Sequence, residues 1–104
     1  MQFAGKGFFS IPKPIRRKGF CNNETISAAK SLVEKDSYYQ RLDGGLADRD
    51  INLPAEKDGI AYVIMNAGST NSLVVKDDAG STIATLSAGD VNTFVCDGSA
   101  WYAI

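Results

Sequence analysis

Six turn signals follow one another down the chain after residue 42: Asp43-Gly44-Gly45, Lys57-Asp58-Gly59, Asn66-Ala67-Gly68, Asp77-Asp78-Ala79-Gly80, Ser87-Ala88-Gly89-Asp90 and Asp97-Gly98-Ser99. Asp, Asn, Gly and Ser favour turns because they tolerate left-handed backbone or bond to their own neighbouring amides. The pieces between these signals have the length of strands. Ile51-Asn52-Leu53 alternates and stops at Pro54, as a strand does where the amide donor is lost. Residues 72–76 and 82–86 flank the Asp77–Gly80 turn as a hairpin. Residues 91–96 place Phe94 and Cys96 on one face and Val91, Thr93 and Val95 on the other. A last strand is expected over residues 100–104. Residues 60–65 are apolar on both faces, which marks a central strand or one covered by a neighbouring subunit. Upstream, Ala28, Ala29 and Lys30 would suit a short helix over residues 26–35. The turn signal Asp36-Ser37, between Ser31-Leu32-Val33 and Tyr38–Leu42, favours strand–turn–strand. The expected fold is all-β: a small antiparallel β-sandwich or barrel of about seven to eight strands, built from residues 24–104.

Residues 1–23 read differently. Pro12 and Pro14 forbid a regular helix and hold the backbone extended. Phe3, Phe8, Phe9, Ile11, Ile15 and Phe20 are too many large apolar side chains for a solvated tail. This segment is expected to be an extended N-terminal arm that docks on a protein surface. The formal net charge of -1 conceals an asymmetry. Residues 1–20 carry five basic residues (Lys6, Lys13, Arg16, Arg17 and Lys18) and no acid, whereas residues 21–104 carry six basic and twelve acidic residues. An acidic body is a poor surface for nucleic acid, which leaves Arg16, Arg17 and Lys18 as its only candidate contacts. Interleaved phenylalanines could stack bases. Nucleic-acid arms are more uniformly polar, however, and a strap across an acidic protein surface is the preferred reading.

The apolar share of 44% is that of an ordinary folded domain and argues against wholesale disorder. No apolar run approaches the ~20 residues of a membrane span, and no secretory leader is expected because Lys6 and the Lys13–Lys18 cluster interrupt any apolar core. No membrane partner is therefore expected. The chain has two cysteines, and Cys96, lying in an apolar strand pattern, is expected to be a buried free thiol rather than half of a disulfide with Cys21. Asn23-Glu24-Thr25 matches a glycosylation acceptor, which without a leader is read as accidental.

Chemistry is sparse. With no histidine, serine– and cysteine–histidine nucleophile systems and histidine zinc sites are excluded. Asp77-Asp78 could bind a cation or act as an acid–base pair, but Asp before Ala-Gly is foremost a turn residue. Asp48 and Asp50 flank Arg49 as solvated charge. Trp101, Tyr102 and Tyr62 could form a sugar-stacking platform, yet aromatics in strands more often serve a core or an interface. No catalytic residue, metal ligand or cofactor site is assigned, and no enzyme is expected.

The order of motifs from residue 31 onward, "SLVEKDSYYQRL", "INLPA", "GIAYVIMNAG", "SLVVKDDAGSTIATLSAGD" and "FVCDGSAWYAI", resembles a module of tailed-bacteriophage structural proteins. Val33 stands where that module usually has Thr, and Tyr38 where it has Gly. The resemblance, over residues 31–104, implies a non-enzymatic virion component such as a capsid decoration (cement) protein, commonly trimeric. Such a protein would bind the outer surface of the major capsid protein lattice and stabilise the head, after residence in the host cytoplasm during assembly. On this reading Phe3, Phe8, Phe9, Ile11, Pro12, Ile15, Arg16, Arg17, Lys18 and Phe20 form the capsid-docking arm. Tyr62, Ile64 and Trp101 are candidates for the homo-oligomer interface. The alternative is a head- or tail-fibre adhesin module that binds a host receptor or glycan.

Overall fold

In the computed structural model, which describes residues 21–104, nine strands and no helix occur among the described residues. They are β1 (Cys21–Thr25), β2 (Lys30–Ser31), β3 (Tyr39–Asp43), β4 (Arg49–Asn52), β5 (Ala61–Asn66), β6 (Leu73–Lys76), β7 (Thr82–Leu86), β8 (Val91–Cys96) and β9 (Trp101–Ala103). Cys21, Asn22 and Asn23, expected to close the arm, instead belong to the first strand. The rest of the expected arm lies outside the described residues.

The strands form a five-stranded sheet in the order β1-β3-β5-β8-β9 and a four-stranded sheet in the order β2-β4-β6-β7. Both sheets are mixed, which corrects the antiparallel expectation. β1, β3 and β5 run parallel, as do β2, β4 and β6. The chain reaches this arrangement by crossing to the opposite sheet after each of its first five strands. Strands two positions apart in sequence therefore lie side by side and point the same way. The stretch β1–β6 is three turns of a flattened coil. Antiparallel pairing begins only when β7 folds back on β6, β8 on β5 and β9 on β8. The same geometry overturns the hairpin expected between β2 and β3: the turn is there, with Asp36 N donating to Val33 O and Val33 N to the Asp36 carboxylate, but the two strands belong to different sheets.

The core is the space between the sheets. Leu42, Tyr62, Ile64, Phe94, Cys96 and Trp101 enter it from one side, and Leu32, Ile51, Leu53, Leu73, Val75 and Leu86 from the other. Tyr62 and Trp101 stack with ring centroids 6.1 Å apart. Each also satisfies its polar end, Trp101 Nε1 donating to Pro54 O at 3.0 Å and Tyr62 OH to Val33 O at 2.7 Å.

Among the described residues β1 and β2 each pair on one side only, which leaves one end of the coil open. Unpaired edges invite strand addition, and inward-facing charge discourages it. Here Glu24 on β1 and Lys30 on β2 meet across the two edges at 3.0 Å. Asn22 Nδ2 donates to Glu24 at 3.0 Å and to buried Gln40 Oε1 at 2.9 Å. The Asn22 hydrogen bond, then Lys30, holds the Glu24 carboxyl below its usual range. The open end is thus finished with polar side chains instead of apolar ones.

At another point the two sheets are tied by buried Asn66, at the end of β5. Its Nδ2 donates to Asn71 O and Leu86 O, each at 2.8 Å, and its Oδ1 accepts from Gly68 N at 2.9 Å. One side chain thus satisfies Asn71 O and Gly68 N in the loop after β5 and reaches Leu86 O on β7.

Candidate interaction surface

The residues expected to carry an oligomer interface, Tyr62, Ile64 and Trp101, are 1%, 0% and 4% exposed in the single chain. They face the core, so they present no surface to a partner, and Tyr62 and Trp101 form no sugar platform. The reason is the strand period of two. In a strand apolar on both faces, the face turned inward is settled by which neighbours cover it.

Burial is the main cause that pushes the Tyr62 hydroxyl up to about 12, with the nearby charges of Asp36 and Glu34 adding to it. An unfolded tyrosine ionises near pH ~10. The folded chain holds this proton longer, so the Tyr62 contribution to stability is complete below pH ~10 and is lost as pH rises towards about 12. Denaturant melts at stepped pH should show a shallower alkaline decline for Tyr62→Phe than for the parent. Parallel declines would contradict this assignment.

Of the candidate acidic residues, Asp77 and Asp48 brace loops and Asp50 pairs across strands. Asp77 Oδ1 accepts from Ala79 N and Ser81 N at 3.0 and 2.8 Å, in a turn where Gly80 has a φ of 91° that an L side chain rarely adopts. Asp48 accepts from Ser72 N at 2.8 Å, and Asp50 pairs with Lys76 at 3.1 Å. Asp97 accepts from Ser99 N and Ala100 N, and these two bonds hold its carboxyl below the usual range. Among the described residues no three His, Cys, Asp or Glu side chains gather as a metal site. Both cysteines are free, Cys96 buried and Cys21 exposed, and Cys96 Sγ accepts from Lys57 N at 3.2 Å.

What distinguishes the molecule is the contrast between its two outer faces. On the four-stranded sheet the outward positions are Ser31, Asp50, Asn52, Lys76, Thr82 and Thr85, with Val74 the one large apolar side chain. This face is solvated, and Asn52 and Ser31 bond across it. On the five-stranded sheet the strand register sets three rows side by side. These are Ala61, Val95 and Tyr102; then Cys21, Tyr39, Val63 and Thr93; then Asn23, Arg41, Met65 and Val91. Arg41 is the only charged side chain in those rows, and it donates to Asn23 Oδ1 at 3.3 Å. Val91 is 47% exposed and Tyr102 51%. A groove of about 310 Å³ runs over this face between Cys21, Tyr39, Arg41, Val63, Met65 and Val91, lined by apolar atoms. Soluble domains expose few contiguous apolar patches, and those they keep commonly mark sites of contact.

Two signals in the sequence point to this face. Residues 60–65 are apolar on both sides, and Val91 and Val95 oppose Phe94 and Cys96 along one strand. Neither signal reveals that β1 and β3 extend the patch with Cys21, Tyr39 and Arg41, because that depends on parallel pairing. Phe3, Phe8, Phe9, Ile11, Pro12, Ile15, Arg16, Arg17, Lys18 and Phe20 lie outside the described residues. No protein-family model, curated protein or solved structure gave a significant match to the chain.

Proposed function

We propose that the chain is a non-enzymatic structural protein of a tailed-bacteriophage virion. It would decorate the outer surface of the head, with the side of its five-stranded sheet turned towards the major capsid protein. The observation that carries this reading is the polarity difference between the two outer faces. A domain with one solvated face and one apolar face is built to lie on something larger. The motif order from residue 31 to residue 104 supplies the class of surface, and the basic, phenylalanine-rich first 20 residues supply contacts suited to an acidic protein lattice.

The test is co-sedimentation of the full chain with expanded heads of a cognate tailed phage, followed by cryo-electron microscopy of the decorated particles. Saturable binding at symmetric lattice positions is expected, and decorated heads should resist heat better than bare ones, because a ligand bound only to the intact shell stabilises it. Failure to bind heads, together with specific retention on a glycan array, would replace this reading with that of a fibre adhesin. Binding to DNA with a steep salt dependence, in place of heads, would make Arg16, Arg17 and Lys18 phosphate contacts.

A further inference from the structure

We propose that the outer face of the five-stranded sheet docks an apolar strip of its partner that carries one carboxylate, and that this carboxylate pairs with Arg41. On the reading that this face is turned towards the capsid lattice, on which the proposal rests, Arg41 fixes the chemistry of the opposing surface. The register puts Arg41 between Asn23 and Met65, with Val91 beyond. The next row, about 7 Å along the strands, holds Cys21, Tyr39 and Val63. Arg41 is thus part of the wall of the apolar groove. Its other side borders a second hollow of about 260 Å³, a polar one whose walls include Asn23, Glu24 and Asp43.

A partner laid on this face takes water away from the guanidinium. An ionised group removed from water without a partner is costly, and an arginine has five N–H donors to satisfy. Its own chain provides one acceptor, Asn23 Oδ1, at 3.3 Å from Arg41 Nη1. No carboxylate among the described residues forms an ion pair with Arg41. The two acids that share its hollow are engaged elsewhere. Glu24 pairs with Lys30 at 3.0 Å and accepts from Asn22, and Asp43 Oδ1 accepts from Gly45 N at 2.8 Å. The remaining acceptors therefore have to come from the partner. A second copy does not supply them. Two copies set face to face would bring together two guanidiniums and no carboxylate from the three rows, and buried charges without opposite partners are strongly destabilising. A carboxylate fits, because its two oxygens match the guanidinium fork. Arginine is also enriched among the few residues that dominate binding at the centre of an interface. The opposing surface then consists of large apolar side chains that fill the groove and an Asp or Glu about 7 Å from them, the separation of the two rows.

The test compares binding of the full chain, Arg41→Met and Arg41→Lys to expanded heads of a cognate tailed phage. Arg41 is exposed and bonded to Asn23, so both variants should melt close to the parent. Arg41→Met is expected to bind about 30-fold more weakly or worse, because it leaves the partner's carboxylate buried alone. Arg41→Lys keeps the charge without the fork and should fall between the two. Cryo-electron microscopy of heads decorated by the parent should place an Asp or Glu oxygen within ~4 Å of the guanidinium. Arg41→Met binding as tightly as the parent, or more tightly, would mean that no carboxylate opposes Arg41. That result overturns the assignment while leaving the protein a decoration protein. Failure of the parent to bind heads would remove the decoration reading itself and this pairing with it. Self-association of the full chain without heads, abolished by Met65→Glu, would give the face to a second copy and overturn the assignment in its favour.

Discussion

Phe94→Ala is expected to cost about 4 kcal/mol, within the ~3–5 kcal/mol range for deleting a buried aromatic ring. Phe94 is fully buried in the middle of β8, paired to Tyr62 on β5 and to Ala103 on β9. Its neighbours are held by strand bonds on both sides, so the space left behind can collapse little. A domain of this size has a total stability on the order of 5–10 kcal/mol, so the variant should be substantially unfolded at physiological temperature. Urea melts of Phe94→Ala and Val95→Ala make the decisive pair. Val95 is the next residue along the strand but faces outward, and its truncation should cost under about 1 kcal/mol. Equal losses at the two positions would mean that the inward and outward faces of β8 have been misassigned.

Asn66→Leu is expected to cost about 3 kcal/mol or more, although the replacement is apolar, similar in size and headed for a buried site. Removing the amide takes a hydrogen bond from Asn71 O, Leu86 O and Gly68 N together. Asn71 O and Gly68 N both lie in the loop after β5, and a buried backbone group left without a partner costs about 1–3 kcal/mol. Asn66→Asp separates hydrogen bonding from packing. An ionised carboxylate keeps the acceptor for Gly68 N but sets negative charge against two carbonyl oxygens. The variant should be weakest at neutral pH and recover part of its stability below pH ~4, where the protonated acid can again donate one bond. Thermal melts across that range check it. A variant as stable at neutral pH as the parent would show that the side chain is dispensable there.

The position of nearly every strand was legible in the sequence, since turn residues and period-two alternation are local properties. The residues 91–96 show this best, with Phe94 and Cys96 inward and Val91, Thr93 and Val95 outward as the alternation requires. The residues 72–86 show it again, because Asp77–Gly80 is a tight turn between strands that do pair. Pairing elsewhere was not legible. A turn states that the chain changes direction, and it does not state whether the next strand returns beside the last or crosses to a facing sheet. That choice made β1, β3 and β5 parallel, and it turned a presumed hairpin at residues 31–42 into a crossing. The candidate site suffered from the same gap. The signal at residues 60–65 was present, and it identified a strand with two apolar faces. Tyr62, Ile64 and Trp101, expected at an oligomer interface, face the core instead, because period two is symmetric until a second layer covers one side.

The sequence by itself determined the all-β class, the places of most strands from residue 38 onward, the turn chemistry, and the separation of a basic, phenylalanine-rich N-terminal segment from an acidic body. These follow from side-chain shape, backbone preference and charge, which act over a few residues. The tertiary structure alone decided that the first six strands coil between two sheets, that Asn66 ties the crossings, and that Val63, Met65 and Val91 gather with Tyr39 and Arg41 on one outer face. The pairings of β1 with β3, β3 with β5 and β5 with β8 behind them join residues 18 to 34 positions apart, and the free energy that selects them is the burial of one face of each sheet against the other, a quantity that no single stretch of chain contains.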